Sequence, residues 1–364
     1  MIKKINKIKP LCFINSSIIV ARNNVIYKTD TNFLNFDKIV KLDDNIKYRL
    51  IYFSRLLTRI TRGNPHCCIP VDKEIIYLSA NNKLFKINID KKTINLANEY
   101  RKGMRNPLSL SHIKNIEGFD ELVCYGEYFG NSKKDKVNII GKIIGNNNWK
   151  ILYTFPQGSI EHIHSIIPDN IRNVVWIFTG DFKNSAGIWM AKNNFKNVTS
   201  LFRGNQKYRA CVGFPIREGL LYATDSQLEH NYIRILEYNK EFEKWHSENI
   251  YSLDGPAIYG CKIGSDYIFS TSVEPGNRRS NKILKLLDKK PGPGIMKNCS
   301  QIVIGNLKKG FKELLIGQKD QWPMGLCQFG VFTFPTGNNP TNKLYAYGIA
   351  LKNYDGKTSI LEIE

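Results

Sequence analysis

Motifs of several common enzyme classes are absent from this sequence of 364 residues. It has no glycine-rich phosphate loop opening a helix, no GxSxG motif and no HExxH motif, so nothing supports nucleotide-binding, α/β-hydrolase or zinc-protease chemistry. No apolar stretch is long enough to cross a bilayer, and Asn15, Ser16 and Ser17 interrupt the N-terminal run, which makes a poor secretory signal. We therefore expect no membrane insertion and a cytoplasmic location.

Acidic residues are few, with 32 Asp and Glu against 53 Lys and Arg and a formal charge of +21. The lysines are dispersed among many Asn and Ile, which indicates a general compositional bias first and an anionic ligand second. Because there is no recognised binding motif or concentrated basic stripe, we expect no nucleic-acid partner. None of the eight cysteines forms a CxxC pair, and most lie in apolar runs, as reduced and buried cysteines do.

Strand-like segments rich in Val, Ile, Tyr and Phe, separated by Gly, Asn, Asp and Pro turns, continue from end to end of the chain. Helical periodicity is nearly absent, so the sequence predicts an all-β fold. No linker rich in proline, glycine or serine divides the chain, and we expect a single domain over residues 1–364. The sequence does not specify an oligomeric state.

An acidic residue recurs at the end of four apolar runs, at Glu127, Asp181, Asp225 and Glu274, with separations of 54, 44 and 49 residues. A period near fifty with strand-like units is typical of a β-propeller of four-stranded blades. Second strands are predicted at 17–21, 75–79, 121–126, 174–180, 220–225, 266–271 and 329–334. These give seven blades, although six also fit if a terminal repeat is misplaced.

The clearest repeat predicts strands at 161–167, 174–180, 187–192 and 198–202. The first blade contains a long basic departure at 44–63, and the sixth contains a Pro/Gly insertion at 291–294. In an antiparallel blade, the turn after the second strand and the start of the next first strand emerge on one face. The four acids should therefore share a rim with residues at the starts of first strands, including His162, His164, Gln206, Arg209 and Trp322.

His162 and His164 form the most concentrated candidate site. Alternation along a strand directs both side chains to one face. They can bind a divalent metal, the one cofactor that the sequence suggests, or one can act as a base while the other orients a substrate. The alternative is that they make structural hydrogen bonds.

Other candidates surround this pair on the predicted rim. Glu127 and Asp181 flank the histidine strand in adjacent blades, although Asp and Gly are also common in structural turns. Arg209 can bind a carboxylate, unless it forms a solvated pair with an aspartate, and Tyr128 can serve as a sugar platform or proton donor, or simply pack. The remaining substrate-binding candidates are Gln206, Asp225, Asn231, Glu274 and Trp322.

Several segments together resemble the sialidase-like propeller proteins with Asp-box (BNR) repeats that occur in bacterial glycan processing. They are 125–131, 161–164, 175–181, 187–189, 204–206, 208–209 and 224–225, with Asn146–Trp149 and Asn193–Phe195 at the positions of Asp-box turns. The resemblance implies a propeller that handles carbohydrate. The arginine triad that grips sialic acid cannot be assigned, so sialidase activity itself is not expected.

The His-x-His pair also resembles the metal-dependent oligogalacturonate lyases, in which histidines and a glutamine hold a divalent ion. This resemblance implies that Gln206 matches the glutamine. We therefore expect a carbohydrate-active enzyme, a glycoside hydrolase or polysaccharide lyase, acting on an acidic glycan. A hydrolase would use Glu127 and Asp181 as its acid pair, whereas a lyase would use His164 or Tyr128 to remove a proton, with Arg209 or a metal neutralising the substrate carboxylate.

Two other functions remain open from the sequence. A propeller without catalytic activity can bind a glycan or a protein partner on the same rim, because this fold hosts both uses. A propeller can also be a scaffold whose channel is merely filled by side chains.

Overall fold

A computed structural model describes residues 2–42, 46–276 and 281–363 of the chain. These residues form five separate four-stranded antiparallel sheets and one eight-stranded sheet, with four short helices. The all-β prediction is confirmed. Among the described residues, no helix has both the length and the apolar character needed to cross a membrane.

The strands in chain order are β1 (Lys3–Asn6), β2 (Lys9–Ile14), β3 (Ser17–Arg22), β4 (Val25–Asp30), β5 (Phe36–Lys41), β6 (Cys67–Pro70), β7 (Ile75–Ala80), β8 (Lys83–Asn88), β9 (Thr93–Glu99), β10 (Ser111–Ile113), β11 (Leu122–Gly126), β12 (Val137–Ile143), β13 (Lys150–Phe155), β14 (His162–Asp169), β15 (Val174–Gly180), β16 (Gly187–Lys192), β17 (Asn197–Arg203), β18 (Ala210–Pro215), β19 (Gly219–Thr224), β20 (Asn231–Asn239), β21 (Lys244–Leu253), β22 (Ala257–Ile263), β23 (Asp266–Val273), β24 (Cys299–Asn306), β25 (Gly310–Gln318), β26 (Gly330–Thr333), β27 (Lys343–Ile349) and β28 (Lys357–Glu362). The helices are α1 (Ile46–Phe53), α2 (Arg55–Ile60), α3 (Lys282–Leu286) and α4 (Met324–Cys327), and 3₁₀ turns lie at Lys183–Ser185 and Gln206–Tyr208.

The chain divides into two compact units. Unit 1 comprises Met1–Ala97, Gln227–His230 and Leu253–Glu364, and unit 2 comprises Asn98–Ser226 and Asn231–Ser252. Unit 2 contains three four-stranded sheets, β10–β13, β14–β17 and β18–β21, each with its strands in sequence order. Two apolar layers hold these sheets together, one built around Phe155 and Trp189 and the other around Trp176 and Tyr222.

Unit 1 contains the sheets β2–β5 and β6–β9 and the eight-stranded sheet. The eight-stranded sheet consists of two groups of four, because β22–β25 and the set β26, β27, β28 and β1 are joined only where β23 pairs with β26. Strand β1 lies antiparallel to β28, so the N-terminal strand completes the last group. Apolar layers again separate neighbouring groups.

Most of the predicted strands are observed. The predicted strands 174–180 and 187–192 coincide with β15 and β16. The longest helices, α1 and α2, lie in the basic departure, where the sequence predicted no helix. The prediction that 329–334 is a second strand is wrong. It forms β26, the first strand of the last group, and β27 takes the second place because β1 supplies the fourth strand.

All eight cysteines are free thiols, and six of them are buried. Burial raises the pKa of the thiols of Cys68, Cys124 and Cys211, so these groups stay protonated at neutral pH. Cys68 and Cys124 therefore pack as small apolar side chains within the apolar layers.

Gly126, at the end of β11, lies against the next sheet of unit 2. A Cβ atom at this position would lie 2.3 Å from Cγ2 of Ile163, whereas a Cβ at Gly130 would meet nothing within 4 Å. Gly126→Ala should lower the free energy of unfolding by about 1–3 kcal/mol, since overpacking forces neighbours to move. Urea denaturation would measure this change, and Gly130→Ala is the matched control. Equal stability of the two variants would contradict the close approach of β11 and β14.

Candidate functional site

The histidine pair lies on β14, in the middle sheet of unit 2. The pairing of β14 with β15 shifts register between Ile163 and Ser165. His162 and His164 are both buried, and the centroids of their rings lie 5.0 Å apart. The ring of His164 lies against Gly180, where an added Cβ would be 2.2 Å from the imidazole. Glycine before Asp181 is therefore a steric requirement of the histidine site as well as a turn residue.

Backbone carbonyls fix the protonation of both rings. Nδ1 of His162 is 3.1 Å from the carbonyl oxygen of Phe129, and Nδ1 of His164 is 2.9 Å from that of Ala210. A carbonyl oxygen only accepts hydrogen bonds, so each Nδ1 carries its hydrogen and, in the neutral ring, each Nε2 carries a lone pair. Histidines that bind metals are held in the same manner, with the second ring nitrogen donating to a carbonyl or carboxylate.

Three acceptor atoms converge between these rings and Asp181. The two Nε2 atoms are 3.1 Å apart, and Oδ1 of Asp181 is 3.3 Å from Nε2 of His162 and 3.1 Å from that of His164. Neutral imidazole lone pairs and a carboxylate repel one another at this distance, and a proton or a metal cation among them removes the repulsion. These three residues are of the types that could hold a metal ion, and a proton shared among them would also remove the repulsion.

The spacing of these atoms fits a metal ion. Ligands at right angles around an ion with bonds of about 2.0–2.3 Å lie about 2.8–3.3 Å apart, and the three observed separations fall in that interval. Two imidazoles and a carboxylate suit zinc, manganese or iron(II). The side chain of Asp181 is 26% exposed, which leaves this edge of the site open to solvent.

Arg209 lies between the two aspartates of the site. Its Nη2 is 3.1 Å from Oδ1 of Asp181, its Nε is 3.3 Å from Oδ2 of Asp225, and its guanidinium lies over the ring of Phe182. Two carboxylates and one buried guanidinium leave one excess negative charge, which a further cation would balance. Burial favours protonation of Asp181, but Arg209, together with hydrogen bonds from the histidines when Nε2 carries a proton, outweighs it and holds the pKa of this carboxyl well below its usual range.

Cys211 and Asp225 extend the site on the other side of His164. The Cys211 thiol donates to Oδ2 of Asp225 at 3.2 Å and lies 3.3 Å from Nδ1 of His164. His164, Cys211 and Asp225 are all residue types that bind metals, and their possible ligand atoms lie within 4.8 Å of one another. Burial and the charge of Asp225 raise the pKa of the thiol, which disfavours the thiolate that binds metals, and Nδ1 of His164 already donates to Ala210. Of the two groups, His162, His164 and Asp181 are therefore the better candidate metal ligands.

Tyr128, Gln206 and Asn231 border this group. The ring of Tyr128 packs edge-on against His162, with centroids 4.6 Å apart, and is half-buried. Gln206 donates to the backbone carbonyl of Asp181 and accepts from Ser226 Oγ, so both ends of its amide are engaged in hydrogen bonds beside the site. Asn231 holds the turn after β19 through hydrogen bonds to the backbone of Ser226.

Glu127 has a different environment from Asp181. Its side chain is fully buried, and Arg101 donates to both of its oxygens at 2.6 and 2.8 Å. The backbone N–H of Asn138 donates to the same carboxylate. Within the described residues, no hydrogen bond or ion pair joins Glu127 to the histidines.

Two further predicted site residues lie in unit 1. Glu274 is buried and accepts a hydrogen bond from Ser272 Oγ, and Trp322 is 45% exposed. The residues brought together in unit 2 are His162, His164, Asp181, Arg209 and Asp225, with Tyr128, Gln206 and Asn231 at the border.

Sequence reasoning missed Cys211, Arg101 and Phe182. Cys211 gave a weak signal, because it follows Arg209 by two residues at the start of a first strand. Arg101 gave none, since it precedes Glu127 by 26 residues in an irregular segment.

No family model matches this chain, and no curated protein matches it. Solved structures do match. An oligogalacturonate lyase in complex with manganese has a TM-score of 0.58 at 9% identity, covering 99% of this chain and 89% of that chain. An oligogalacturonate lyase from Vibrio parahaemolyticus has a TM-score of 0.54 at 10% identity, covering 97% and 89%. A mitotic checkpoint complex chain has a TM-score of 0.56 at 8% identity, covering 99% and 93%. Because the sequence identities are this low, the structural similarity shows the β-propeller fold alone.

Removing Arg101 should expose the structural role of Glu127. Arg101→Ala leaves a buried carboxylate without its partner and should lower the free energy of unfolding by about 2–4 kcal/mol, with part of the loss recovered in Arg101→Ala/Glu127→Gln. The control is Lys92→Ala, whose exposed pair with Asp37 should contribute less than about 1 kcal/mol. Urea denaturation gives all four values. No recovery in the double variant would contradict the pairing.

The pKa of Asp181 should be visible in acid. A carboxyl with a lowered pKa in the folded state contributes stability above its ordinary value of 3.8 and loses it as pH falls through the folded value. The stability of the wild type minus that of Asp181→Asn should therefore decrease from about pH 4 toward pH 2. Urea denaturation at stepped pH measures it, with the exposed Asp37→Asn as control. A difference that stays constant over this range would contradict the shift.

Proposed function

We propose that this protein is a carbohydrate-active enzyme that cleaves an acidic oligo- or polysaccharide by elimination, using a divalent cation held by His162, His164 and Asp181. The observation that carries the proposal is the convergence of two imidazole lone pairs and a carboxylate oxygen within 3.1–3.3 Å. The manganese-bound oligogalacturonate lyase with the same fold adds support at the level of fold only.

Each residue of the site has a role in this proposal. A bound divalent cation would neutralise the carboxylate of a uronate and stabilise the negative charge that develops when the adjacent C–H loses its proton. The carbonyls of Phe129 and Ala210 orient the two imidazoles, and Arg209 holds Asp181 ionised and in place. The half-buried Tyr128 is the proposed base, because the imidazole of His164 is buried and its Nε2 faces the cation site. The phenolate oxygen of Tyr128 takes the C–H proton as the C=C bond forms and returns that proton to the glycosidic oxygen as the C–O bond breaks.

Elimination is favoured over hydrolysis by the state of Glu127. A glycoside hydrolase needs two carboxyl groups that are free to face the glycosidic bond. Both oxygens of Glu127 are engaged by Arg101 and by the N–H of Asn138, so the predicted Glu127 and Asp181 pair does not provide this arrangement.

A second candidate is a glycan-binding or protein-binding propeller in which the cation is structural. The burial of both histidine side chains, 6% and 2% exposed, favours it. A cation at this place would fasten β14 to the turn after β15, and the rim would bind its ligand without turnover.

We also propose that the four-stranded groups number seven and form one propeller domain over residues 1–364. Five separate sheets and the two halves of the eight-stranded sheet support this number. Kinship with the Asp-box propellers is part of the same proposal, supported by the turns at 146–149 and 193–195, which lie between third and fourth strands.

The test is incubation with a panel of polyuronates and neutral glycans, with and without Mn²⁺, following new reducing ends and the ultraviolet absorbance of unsaturated uronates. Both signals should rise together, and EDTA should abolish them. Tyr128→Phe should lower turnover by about 10²-fold or more while retaining bound metal, measured by plasma mass spectrometry, since general-base catalysis contributes that much. His164→Ala should lose both metal and turnover.

The control is His246→Ala, which removes an exposed histidine of the same unit and should leave metal content and turnover unchanged. Reducing ends without absorbance would replace elimination by hydrolysis. Bound metal and bound glycan without any product would favour the binding propeller.

A further inference from the structure

The helices of the basic departure, α1 and α2, form a helical surface on unit 1 together with α3 and α4. Helices α1 and α2 lie between β5 and β6, α3 lies between β23 and β24, and α4 precedes β26. Both α2 and α3 contact α4. All the α-helices of the described residues thus belong to insertions in unit 1, and we call α1 to α4 the helical surface.

Large apolar side chains of the helical surface are exposed to water. Phe53 is 91% exposed, Leu50 is 62% exposed and Ile283 is 67% exposed. The others exposed on α1, α2 and the α3 segment are Leu56, Leu57, Ile60, Leu284, Leu286 and Leu287. A large group of exposed apolar side chains is typical of a surface that binds a protein or a membrane.

Buried polar contacts hold the helical surface in place. Arg59 is 4% exposed, donates to the carbonyl of Cys327 at the end of α4, and pairs with Asp320 at 2.6 Å. Arg55 pairs with Asp355 through two hydrogen bonds. Helix α2 is therefore held to the rest of unit 1 by these contacts, and Phe53 and Leu50 are exposed on a helix pair that is fixed in place.

Basic residues greatly outnumber acidic ones in the segments that carry α1, α2 and α3. Residues 45–71 contain five Lys and Arg and no acid, and residues 275–298 contain seven Lys and Arg and one acid, Asp288. Asp288 is buried, whereas Lys285, Lys289 and Lys290 are exposed beside the apolar side chains of α3. Apolar and basic groups thus share one surface.

We propose that the helical surface binds the interface of a membrane that contains anionic phospholipids. Interfacial helices combine Phe, Leu and Trp with Lys and Arg, bury the apolar side chains at the level of the headgroups, and attract anionic lipid through the basic ones. Both components are present here, and the absence of acidic side chains over 45–71 removes repulsion from lipid phosphates. The protein rests on the bilayer without crossing it.

Sedimentation with vesicles tests the proposal. The full-length protein should bind vesicles of phosphatidylcholine mixed with phosphatidylserine, bind pure phosphatidylcholine far less, and dissociate as salt rises. Leu50→Ser/Phe53→Ser should weaken binding about tenfold or more, because the apolar contacts are lost. Lys289→Glu/Lys290→Glu should weaken it and reduce its dependence on salt.

The matched control is Phe242→Ser, which removes a 65% exposed phenylalanine of unit 2 and should leave binding unchanged. Thermal denaturation verifies that each variant is folded, and His164→Ala, which tests the proposed enzyme, should still bind vesicles. Failure of the wild type to bind anionic vesicles at low salt, or unchanged binding of Leu50→Ser/Phe53→Ser, would overturn the proposal. So would a dimer in light scattering that Leu50→Ser/Phe53→Ser dissociates, because a second copy would then cover the surface.

Discussion

The site in unit 2 depends on two hydrogen bonds from imidazole N–H groups to backbone carbonyls. Because His162 donates to Phe129 and His164 donates to Ala210, both Nε2 lone pairs face Oδ1 of Asp181. Three acceptors at this spacing need a positive charge among them. The backbone thus sets the tautomers, the tautomers set the direction of the lone pairs, and the lone pairs can take up either a proton or a metal cation.

The four repeated acids have four different environments. Glu127 is sealed in a pair with Arg101, Asp181 faces the histidines, Asp225 accepts from Cys211, and Glu274 accepts from a serine. The repeat of the backbone explains why an acid follows four of the second strands, β11, β15, β19 and β23, since turn geometry recurs. The neighbours, which do not repeat, decide its chemistry. The shared position after a second strand therefore does not by itself indicate what an acid does.

The helical surface and the histidine site belong to different parts of the chain and depend on different physics. The site is a buried group of charges whose balance determines what it holds. The helical surface is a set of exposed apolar and basic side chains, anchored by Arg59 and Arg55. Sheets of four strands tolerate both, because insertions between strands leave the ladders of hydrogen bonds intact.

The sequence by itself determined the features that depend on local alternation and turns. The strands at 174–180 and 187–192 and the all-β fold follow from short apolar runs rich in Val, Ile and aromatic residues that end at turns. The placement of His162 and His164 on one side of a strand follows from a period of two. Only the tertiary structure decided the pairing of β1 with β28, the capture of Glu127 by Arg101, and the carbonyls that orient the histidines. These contacts join residues that are far apart in sequence. A local sequence pattern does not specify which distant group will form a hydrogen bond with a given side chain or strand.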